Sequence, residues 1–411
     1  MSIVSPVAEP APPPPPEVVP SEWTDPSPDS EPPPRRGFAR RIIGVVVGVG
    51  RFTFTLAAWV VLLAFLSPTP PLNWLAFGYL LAAAGRVADG GSVRRCLEEF
   101  HPARRLGVAA LAVGAALLPV RLFVHWSETS AIVRPGAAVS TVMSVAAFVV
   151  ALFLCVWLCR AWSLGGRVRH YLWPRPRGVL RDVGDGQYWD AAWRDLRRFV
   201  GSLRIPSTFW LGVRCYLATL LWLSPALLVI GAIRHGRDGG AALAGVVGWI
   251  LLTAVMMYLP MMQIRFAADR RWRTMFSIAG VRREFRFAPW SHAAAMLFGL
   301  LLLPFPLYLL RIEAPVRDLY PLLGVPMVAM MLPARVVQGW ALRRSADARR
   351  RSGEPPRGWH RVSRMLARTV ILAVVVAYLL LLGVSQYVVW DGLTVWLEQH
   401  AVGPPTPLRG S

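Results

Sequence analysis

The chain has 411 residues, of which 55% are hydrophobic and only 17% charged, and its formal net charge is +22. Soluble domains carry about a quarter charged residues, so this composition excludes an ordinary set of soluble domains and predicts helices that lie in a bilayer. All 45 basic residues are arginine, because the sequence contains no lysine. Lysine-based nucleophiles and Schiff bases are therefore excluded. The arginines fall between apolar stretches, a position typical of topology signals and head-group contacts, so no nucleic-acid partner is predicted.

The first 36 residues form a Pro-rich, acidic segment with a proline run at Pro12–Pro16 and no basic residue before Arg35. Too few apolar residues are present to offset the entropy of ordering, so the segment predicts a disordered cytoplasmic tail. It lacks the positive start and the apolar core of a signal peptide. The favoured interpretation is a passive tail, and the alternative is that Pro12–Pro16 binds a protein partner that recognises proline-rich sequence.

Residues 37–390 contain nine apolar stretches and predict an all-α fold, a polytopic transmembrane helical bundle. About 20 apolar residues are enough to cross a hydrocarbon core that is ~30 Å thick. The second stretch is the shortest, so whether it is long enough to cross depends most on where it begins and ends. The predicted spans are Gly44–Leu66, Leu72–Ala88, Leu106–Val124, Gly136–Cys159, Phe209–Ile233, Ala241–Ile264, Ala293–Leu310, Leu319–Val337 and Thr369–Trp390.

Three Arg-rich connections, which we call the first, second and third basic segments, occupy residues 160–205, 265–289 and 338–368. If the N-terminus is cytoplasmic, about 35 arginines lie inside and about 7 outside, which is a strong positive-inside asymmetry. The sequence therefore predicts a bacterial inner (cytoplasmic) membrane protein whose short C-terminal tail, 391–411, faces outward. The first two spans must both cross or both fail to cross, which gives nine or seven passes, and nine is the prediction.

The first basic segment contains an amphipathic pattern at Tyr188–Leu203, which reads YWDAAWRDLRRFVGSL. Trp189 and Trp193 begin an apolar face at helical spacing, and this combination is typical of a helix lying in the membrane interface. The candidate contacts with anionic head groups or an acidic partner are Trp189, Trp193, Arg194, Arg197 and Arg198. The alternative is a structural elbow that only anchors the bundle. A weaker pattern of the same kind occurs at Trp272–Phe287.

Five polar residues inside predicted spans are candidate functional positions, because placing such side chains in a bilayer costs free energy. They are Arg51, Arg214, Arg335, Gln263 and Gln386. The three arginines lie toward the inner ends of their spans, so snorkelling to the interface is expected. The two glutamines are expected to join helices by hydrogen bonds. No Asp or Glu lies deep in a predicted span, which disfavours a proton-driven carrier.

No motif in the sequence names a reaction. The seven histidines show no metal-ligand spacing, and C-x-x-C, H-E-x-x-H, G-x-S-x-G and Walker A patterns are absent. We therefore predict no catalytic residue, no metal site and no cofactor, and we expect that the protein is not an enzyme.

Several short runs resemble an uncharacterised family of bacterial multi-pass integral membrane proteins. The runs are Leu259–Ala268 (LPMMQIRFAA), Val281–Arg283, Ala288–Pro289, Pro306–Glu313 (PLYLLRIE), Gly78–Leu81 (GYLL), Phe209–Gly212 (FWLG) and Leu397–Ala401 (LEQHA). The resemblance covers most of the chain after the N-terminal tail. It implies a multi-pass topology and no particular activity.

Three functional hypotheses remain open at this point. The first is a non-enzymatic envelope protein that organises or senses the membrane through its interfacial helices and its tail. The second is a transporter or channel for a small solute, built around Pro-broken helices. The third is a membrane-embedded lipid-modifying enzyme. A hydrated pocket near the midplane would favour the second hypothesis, and a tightly packed bundle would favour the first.

Overall fold

A computed structural model describes residues 38–91, 101–136, 138–173, 184, 186–233, 239–303, 324–353, 360–388 and 401–405. Within these ranges every regular element is a helix, which confirms the all-α expectation. The Pro-rich tail predicted at 1–36 lies outside the described residues. So do most of the predicted 391–411 tail and the end of the seventh predicted span.

The described residues from 38 to 233 form seven helices, and turns rich in proline or glycine separate several of them. Three prolines lie in the connection between the first two helices, and Gly136 takes a positive φ of 81° between the third and fourth. Glycine tolerates that conformation without steric cost. The helices are α1 (Phe38–Leu66), α2 (Leu72–Ala88), α3 (His101–Val133), α4 (Ala138–Ser163), α5 (Val168–Leu172), α6 (Gly186–Ser202) and α7 (Ile205–Ile233).

The second half is more broken. Its described residues form α8 (Gly239–Met256), α9 (Leu259–Asp269), a 3₁₀ helix (Trp272–Phe276), α10 (Ile278–Phe287), α11 (Pro289–Met296), a π-helical stretch (Leu297–Leu302), α12 (Gly324–Ser352) and α13 (His360–Val388). The amphipathic pattern predicted at Trp272–Phe287 is therefore not one helix. Ser277 divides it, and the Ser277 hydroxyl caps α10 by accepting from the Gly280 N–H at 3.2 Å.

Seven helical segments of the described residues are long and apolar enough to cross a membrane, and they indicate a multi-pass membrane protein. They are Ile42–Leu66, Pro102–Val133, Ala138–Ser163, Tyr188–Ile230, Leu243–Asp269, Gly324–Ser352 and His360–Ser385. Two of the nine predicted spans are not among these seven, although the second has the predicted bounds Leu72–Ala88. The second is the 17-residue helix α2, and the seventh is described only as the short apolar helix Pro289–Leu302.

Helix α2 lies in the middle of the bundle, where glycines let neighbouring backbones touch. A Cβ on Gly78 would lie 2.0 Å from the Thr208 carbonyl oxygen of α7, and a Cβ on Gly212 would lie 1.9 Å from the Trp74 carbonyl oxygen of α2. On another side of α2, a Cβ on Gly339 of α12 would lie 2.3 Å from a carbonyl oxygen of α2. Close approach of small residues is the usual way in which membrane helices gain packing energy.

The second and third basic segments meet at one end of the bundle. Arg349 of α12 forms a salt bridge with the buried Glu284 of α10, with an N···O distance of 2.8 Å. Nearby in sequence, the Arg343 guanidinium donates to the Gly91 carbonyl just after α2, at 3.1 Å. These contacts join the C-terminal part of α12 to α10 and to the residues that follow α2, so the second and third basic segments touch each other.

Residues Ala401–Pro405, the described part of the predicted C-terminal tail, are buried rather than free. Ala401 and Val402 belong to the same apolar core as α2, α9 and α13. This segment therefore contributes to the interior of the bundle.

Candidate functional site

Helix α6, which contains the residues predicted to touch lipid or a partner, is fastened to the bundle by one narrow stripe. Tyr188, Ala192, Asp195 and Phe199 form this docking stripe, at spacings of four, three and four residues. Asp195 receives a hydrogen bond from the Arg105 guanidinium at 2.6 Å. The Phe199 ring meets an aromatic ring of α4 edge to face, with a centroid distance of 4.8 Å.

Arg105, at the start of α3, is the residue that sequence analysis missed here. Its guanidinium also donates to the Trp162 carbonyl at 2.6 Å and lies 4.3 Å from the centre of the Trp162 ring. One arginine therefore connects three helices, α3, α4 and α6. The sequence carried no signal for this contact, because Arg105 and Asp195 are 90 positions apart.

A second stripe of α6 is apolar and exposed. Trp189 and Trp193 are 49% and 53% exposed, and Leu196 and Val200 continue the stripe at helical spacing. A row of four large apolar side chains on the outside of a helix is poorly suited to water. In a membrane protein it is suited to the boundary between head groups and acyl chains.

The third stripe of α6 carries the predicted arginines, Arg194, Arg197 and Arg198, and all three are exposed. The Arg197 guanidinium lies 5.0 Å from the Trp193 ring, at the border between the apolar and the basic stripe. The helix surface is thus divided into a docked side, an apolar side and a basic side. The predicted contact residues lie on the last two.

Gln263 of α9 lies fully buried and joins separate parts of the bundle, as was expected of an intramembrane glutamine. Its amide nitrogen donates to the Thr219 hydroxyl of α7 and to the Val402 carbonyl, each at 2.7 Å. Its amide oxygen accepts from the Arg335 guanidinium of α12, also at 2.7 Å. Glutamine suits this position because it offers donors and an acceptor on one group.

Arg335 does not snorkel, contrary to the sequence-based expectation. Its side chain is only 1% exposed, and its guanidinium lies 5.4 Å from the centre of the Phe77 ring of α2. Besides Gln263, it donates to the Gln338 side-chain oxygen at 3.3 Å. Among the described residues, its Nη2 and the Gln338 amide nitrogen have no hydrogen-bond partner. Gln338 follows Arg335 by three positions, a spacing that puts both on one helix face and could have drawn attention to the pair.

The other predicted intramembrane residues do not join this cluster. Arg51 and Arg214 have exposed side chains on α1 and α7, where snorkelling remains open to them. The side chain of Gln386 lies outside the described residues. We call the group formed by Thr219, Gln263, Arg335 and Gln338 the central polar cluster.

Within the described residues, no group of three or more His, Cys, Asp or Glu side chains is placed to hold a metal ion. Three cavities of this part of the molecule have volumes of about 730, 290 and 50 Å³. No residue of the central polar cluster lines any of the three. The polar groups at the centre are thus held by other protein groups and do not border these spaces.

Comparison with protein-family models, with curated proteins and with solved structures finds no match to this chain.

Proposed function

We propose that this chain is a non-enzymatic multi-pass membrane protein that senses or organises the membrane by engaging anionic phospholipids through α6. The observation that carries the proposal is the three-sided surface of α6. Docking fixes one side on α3 and α4, which turns the apolar stripe and the arginine stripe outward together. An arginine near an anionic surface contributes ~1 kcal/mol, so three adjacent arginines would make binding sensitive to lipid charge.

The proposed location is a bacterial inner membrane, crossed nine times, with the N-terminus in the cytoplasm and the C-terminus outside. The gathering of the second and third basic segments at one end of the bundle supports placing them on one side. Helix α2 has 17 residues and would be about 26 Å long, which is at the lower limit for crossing a bilayer.

The packing of the described residues favours this role over that of a carrier. Gly78 and Gly212 bring α2 and α7 into backbone contact, so these helices have little freedom to separate. Gln263 uses its amide to join α7, α12 and the segment at Val402. A rigid centre with a basic, amphipathic helix at its edge suits a scaffold or sensor of the membrane surface.

The test measures amide hydrogen exchange in residues 186–202 of the full-length protein in lipid nanodiscs. One set contains phosphatidylcholine alone, and the other includes about one third phosphatidylglycerol. We expect exchange to be slower by at least roughly tenfold in the anionic discs, since three arginines would each contribute ~1 kcal/mol. The triple variant R194Q/R197Q/R198Q should lose this difference, and added salt should reduce it in the wild type.

A matched control removes the same charge elsewhere. R344Q/R350Q/R351Q replaces three exposed arginines at the end of α12 and should keep the lipid dependence of α6. Equal exchange of the wild-type segment in neutral and anionic discs would refute the proposal.

A further inference from the structure

A long apolar groove runs along the surface of the bundle between α8 and α13. Its volume is about 730 Å³. Large apolar side chains line it on both helices, among them Ile250 and Val376, which are both exposed. Trp249 lines the groove and packs against Gly383 of α13. A Cβ built on Gly383 would lie 3.3 Å from the tryptophan ring. The groove therefore faces the hydrocarbon and has a defined floor.

The length of the groove is close to the thickness of one leaflet. Its lining residues on the α8 side extend from Gly245 to Met257. Twelve helical steps correspond to about 18 Å, and half of a ~30 Å hydrocarbon core is about 15 Å. An acyl chain laid along α8 would thus reach from one membrane surface to near the midplane.

Met257 also lines a second, smaller cavity of about 50 Å³, so the two spaces adjoin at this residue. This head cavity includes Tyr258, Arg282 and Arg368 among its lining residues. His292 lines it too, and the Nε2 atom of this buried histidine has no hydrogen-bond partner among the described residues. The lining thus changes from apolar along the groove to mixed at one end, where two arginines, a tyrosine and a histidine join six apolar side chains.

Aromatic neighbours hold the two arginines of the head cavity. The Arg282 guanidinium lies 5.4 Å from the Tyr258 ring and donates to its hydroxyl at 3.3 Å. The Arg368 guanidinium lies 5.6 Å from the Phe285 ring. Both side chains are exposed, and neither forms a salt bridge with a carboxylate of the described residues. Two positioned guanidinium groups without an acid make a site for a phosphate.

We propose that α8, α10 and α13 bind one anionic phospholipid. An acyl chain lies in the groove from Met257 toward Gly245, and the phosphate lies at the head cavity between Arg282 and Arg368. The occupant is a lipid rather than a free anion, because the apolar groove continues directly from the basic end. Basic pockets between membrane helices on the cytoplasmic side are known to take phospholipid head groups. The site shares no residue with α6, so the two proposals can be tested separately.

The test uses the full-length protein, delipidated in mild detergent and titrated with phosphatidylglycerol, with bound lipid counted by native mass spectrometry. The wild type should bind one phosphatidylglycerol more tightly than it binds phosphatidylcholine. R282Q/R368Q should weaken phosphatidylglycerol binding by about 30-fold, since each arginine near an anionic group contributes ~1 kcal/mol, a factor of roughly five. Binding of phosphatidylcholine should change little.

A second variant tests the groove without touching the charges. I250W/V376W places two large rings in the groove from exposed positions, so the fold should tolerate it, and it should weaken binding of both lipids. The control R283Q/R361Q removes two exposed arginines from the same two helices outside the cavity lining and should bind lipid as the wild type does.

Three results would overturn the proposal. One is tight binding of phosphatidylglycerol that R282Q/R368Q leaves unchanged. Another is equal loss in R283Q/R361Q, which would mean that only the overall charge matters. The third is that glycerol phosphate, which has no acyl chain, protects the wild type against thermal unfolding as well as the lipid does. The α6 variant R194Q/R197Q/R198Q should retain the tightly bound lipid, which separates this site from the surface contact proposed above.

Discussion

Gln263 has every polar atom of its side chain engaged, and this makes it the residue on which the centre of the bundle depends. Its amide nitrogen donates two hydrogen bonds, and its amide oxygen accepts one from the Arg335 guanidinium. Arg335 is in a different situation, because it is buried without an acidic partner among the described residues. Burying a charge costs free energy unless polar groups replace its contacts with water. The Gln263 oxygen is one of the groups that replace water around this guanidinium.

We predict that Q263L destabilises the protein more than R335M does. The leucine leaves the buried charge with only the 3.3 Å contact to Gln338, and breaking up a buried charged group costs ~3–5 kcal/mol. The methionine removes the charge and its desolvation together and leaves two acceptors without this donor, the Gln263 oxygen and the more weakly bonded Gln338 oxygen, at ~1–3 kcal/mol for the stronger bond. Thermal unfolding of the variants in one detergent measures the difference.

The control for this pair is R214M, which makes the same change at an exposed arginine of α7 and should alter the melting temperature little. A larger loss in R335M than in Q263L would contradict the account, since it would mean that the guanidinium itself holds the bundle together.

Asp89, which follows α2, gives a pH-dependent prediction. Burial raises the pKa of its carboxyl group and the charge of Asp269 raises it further, while Arg270 acts in the opposite direction. The folded state therefore favours the neutral acid, so the stability that this carboxyl group contributes is fully present below its unfolded pKa and is lost as the pH rises through the raised pKa. D89N should raise the melting temperature slightly at about pH 7, and this gain should shrink as the pH falls below the unfolded aspartate pKa of ~3.9, where the acid becomes neutral in both states.

The pH profile of a second variant isolates this effect. D190N neutralises an exposed carboxylate on α6 and should not show the same gain near neutral pH. A gain in D89N that persists unchanged at low pH would indicate a packing effect rather than relief of the charge.

Sequence reasoning could place these polar residues in the membrane, but it could not tell how each one is solvated. Arg214 and Arg335 both lie in predicted spans and look alike in a hydropathy profile, yet one is exposed and the other is buried. The difference comes from Phe77 and Gln263, which tertiary packing brings to Arg335 from elsewhere in the chain. Hydropathy predicts that a segment lies in the membrane. It does not predict which side chains will surround a buried charge, because those come from other parts of the chain.

Among the elements, α2 and α7 approach so closely that their backbones touch, and this contact depends on two glycines. We predict that G78A and G212A each destabilise the protein by more than ~3 kcal/mol, because the added methyl would overlap a backbone carbonyl that has no room to move. The built Cβ atoms lie 2.0 and 1.9 Å from carbonyl oxygens. Loss of the monodisperse species in detergent and a lowered melting temperature are the measurements.

Gly114 of α3 provides the matched control, since a Cβ built there meets nothing within 4 Å. G114A should be neutral or slightly stabilising, because alanine loses less backbone entropy than glycine in a helix. If all three alanine variants behaved alike, the close approach of α2 and α7 would not be what limits stability.

Helix α6 shows what periodicity does and does not predict. The helical spacing of Trp189 and Trp193 indicated a helix over Tyr188–Leu203, and the structure contains one at Gly186–Ser202. The docking stripe was not predicted, because Ala192 and Asp195 look like ordinary members of a polar face. Only the position of Arg105, on another helix, makes that face a contact. Likewise, hydropathy treats α2 like any other apolar stretch, although protein rather than lipid surrounds it.

At the scale of the whole molecule, the charge of +22 is not spread evenly. The second and third basic segments are joined through Arg349 and Glu284, and Arg282 and Arg368 belong to the same two segments. An anionic leaflet would attract this end of the bundle as a unit, and screening by salt would weaken that attraction. The two proposed lipid contacts thus draw on one asymmetry of charge.

The bond between Gln263 and Val402 also bears on how the protein is made. The two residues are 139 positions apart in the chain. At ribosomal speeds of ~5–20 residues per second, the glutamine amide waits on the order of 10 s before its carbonyl acceptor has been synthesised. If the helices insert as they are synthesised, α7 and α9 reach the bilayer before the Val402 carbonyl exists, and the Gln263 amide needs another hydrogen-bond acceptor, such as water, until that segment arrives.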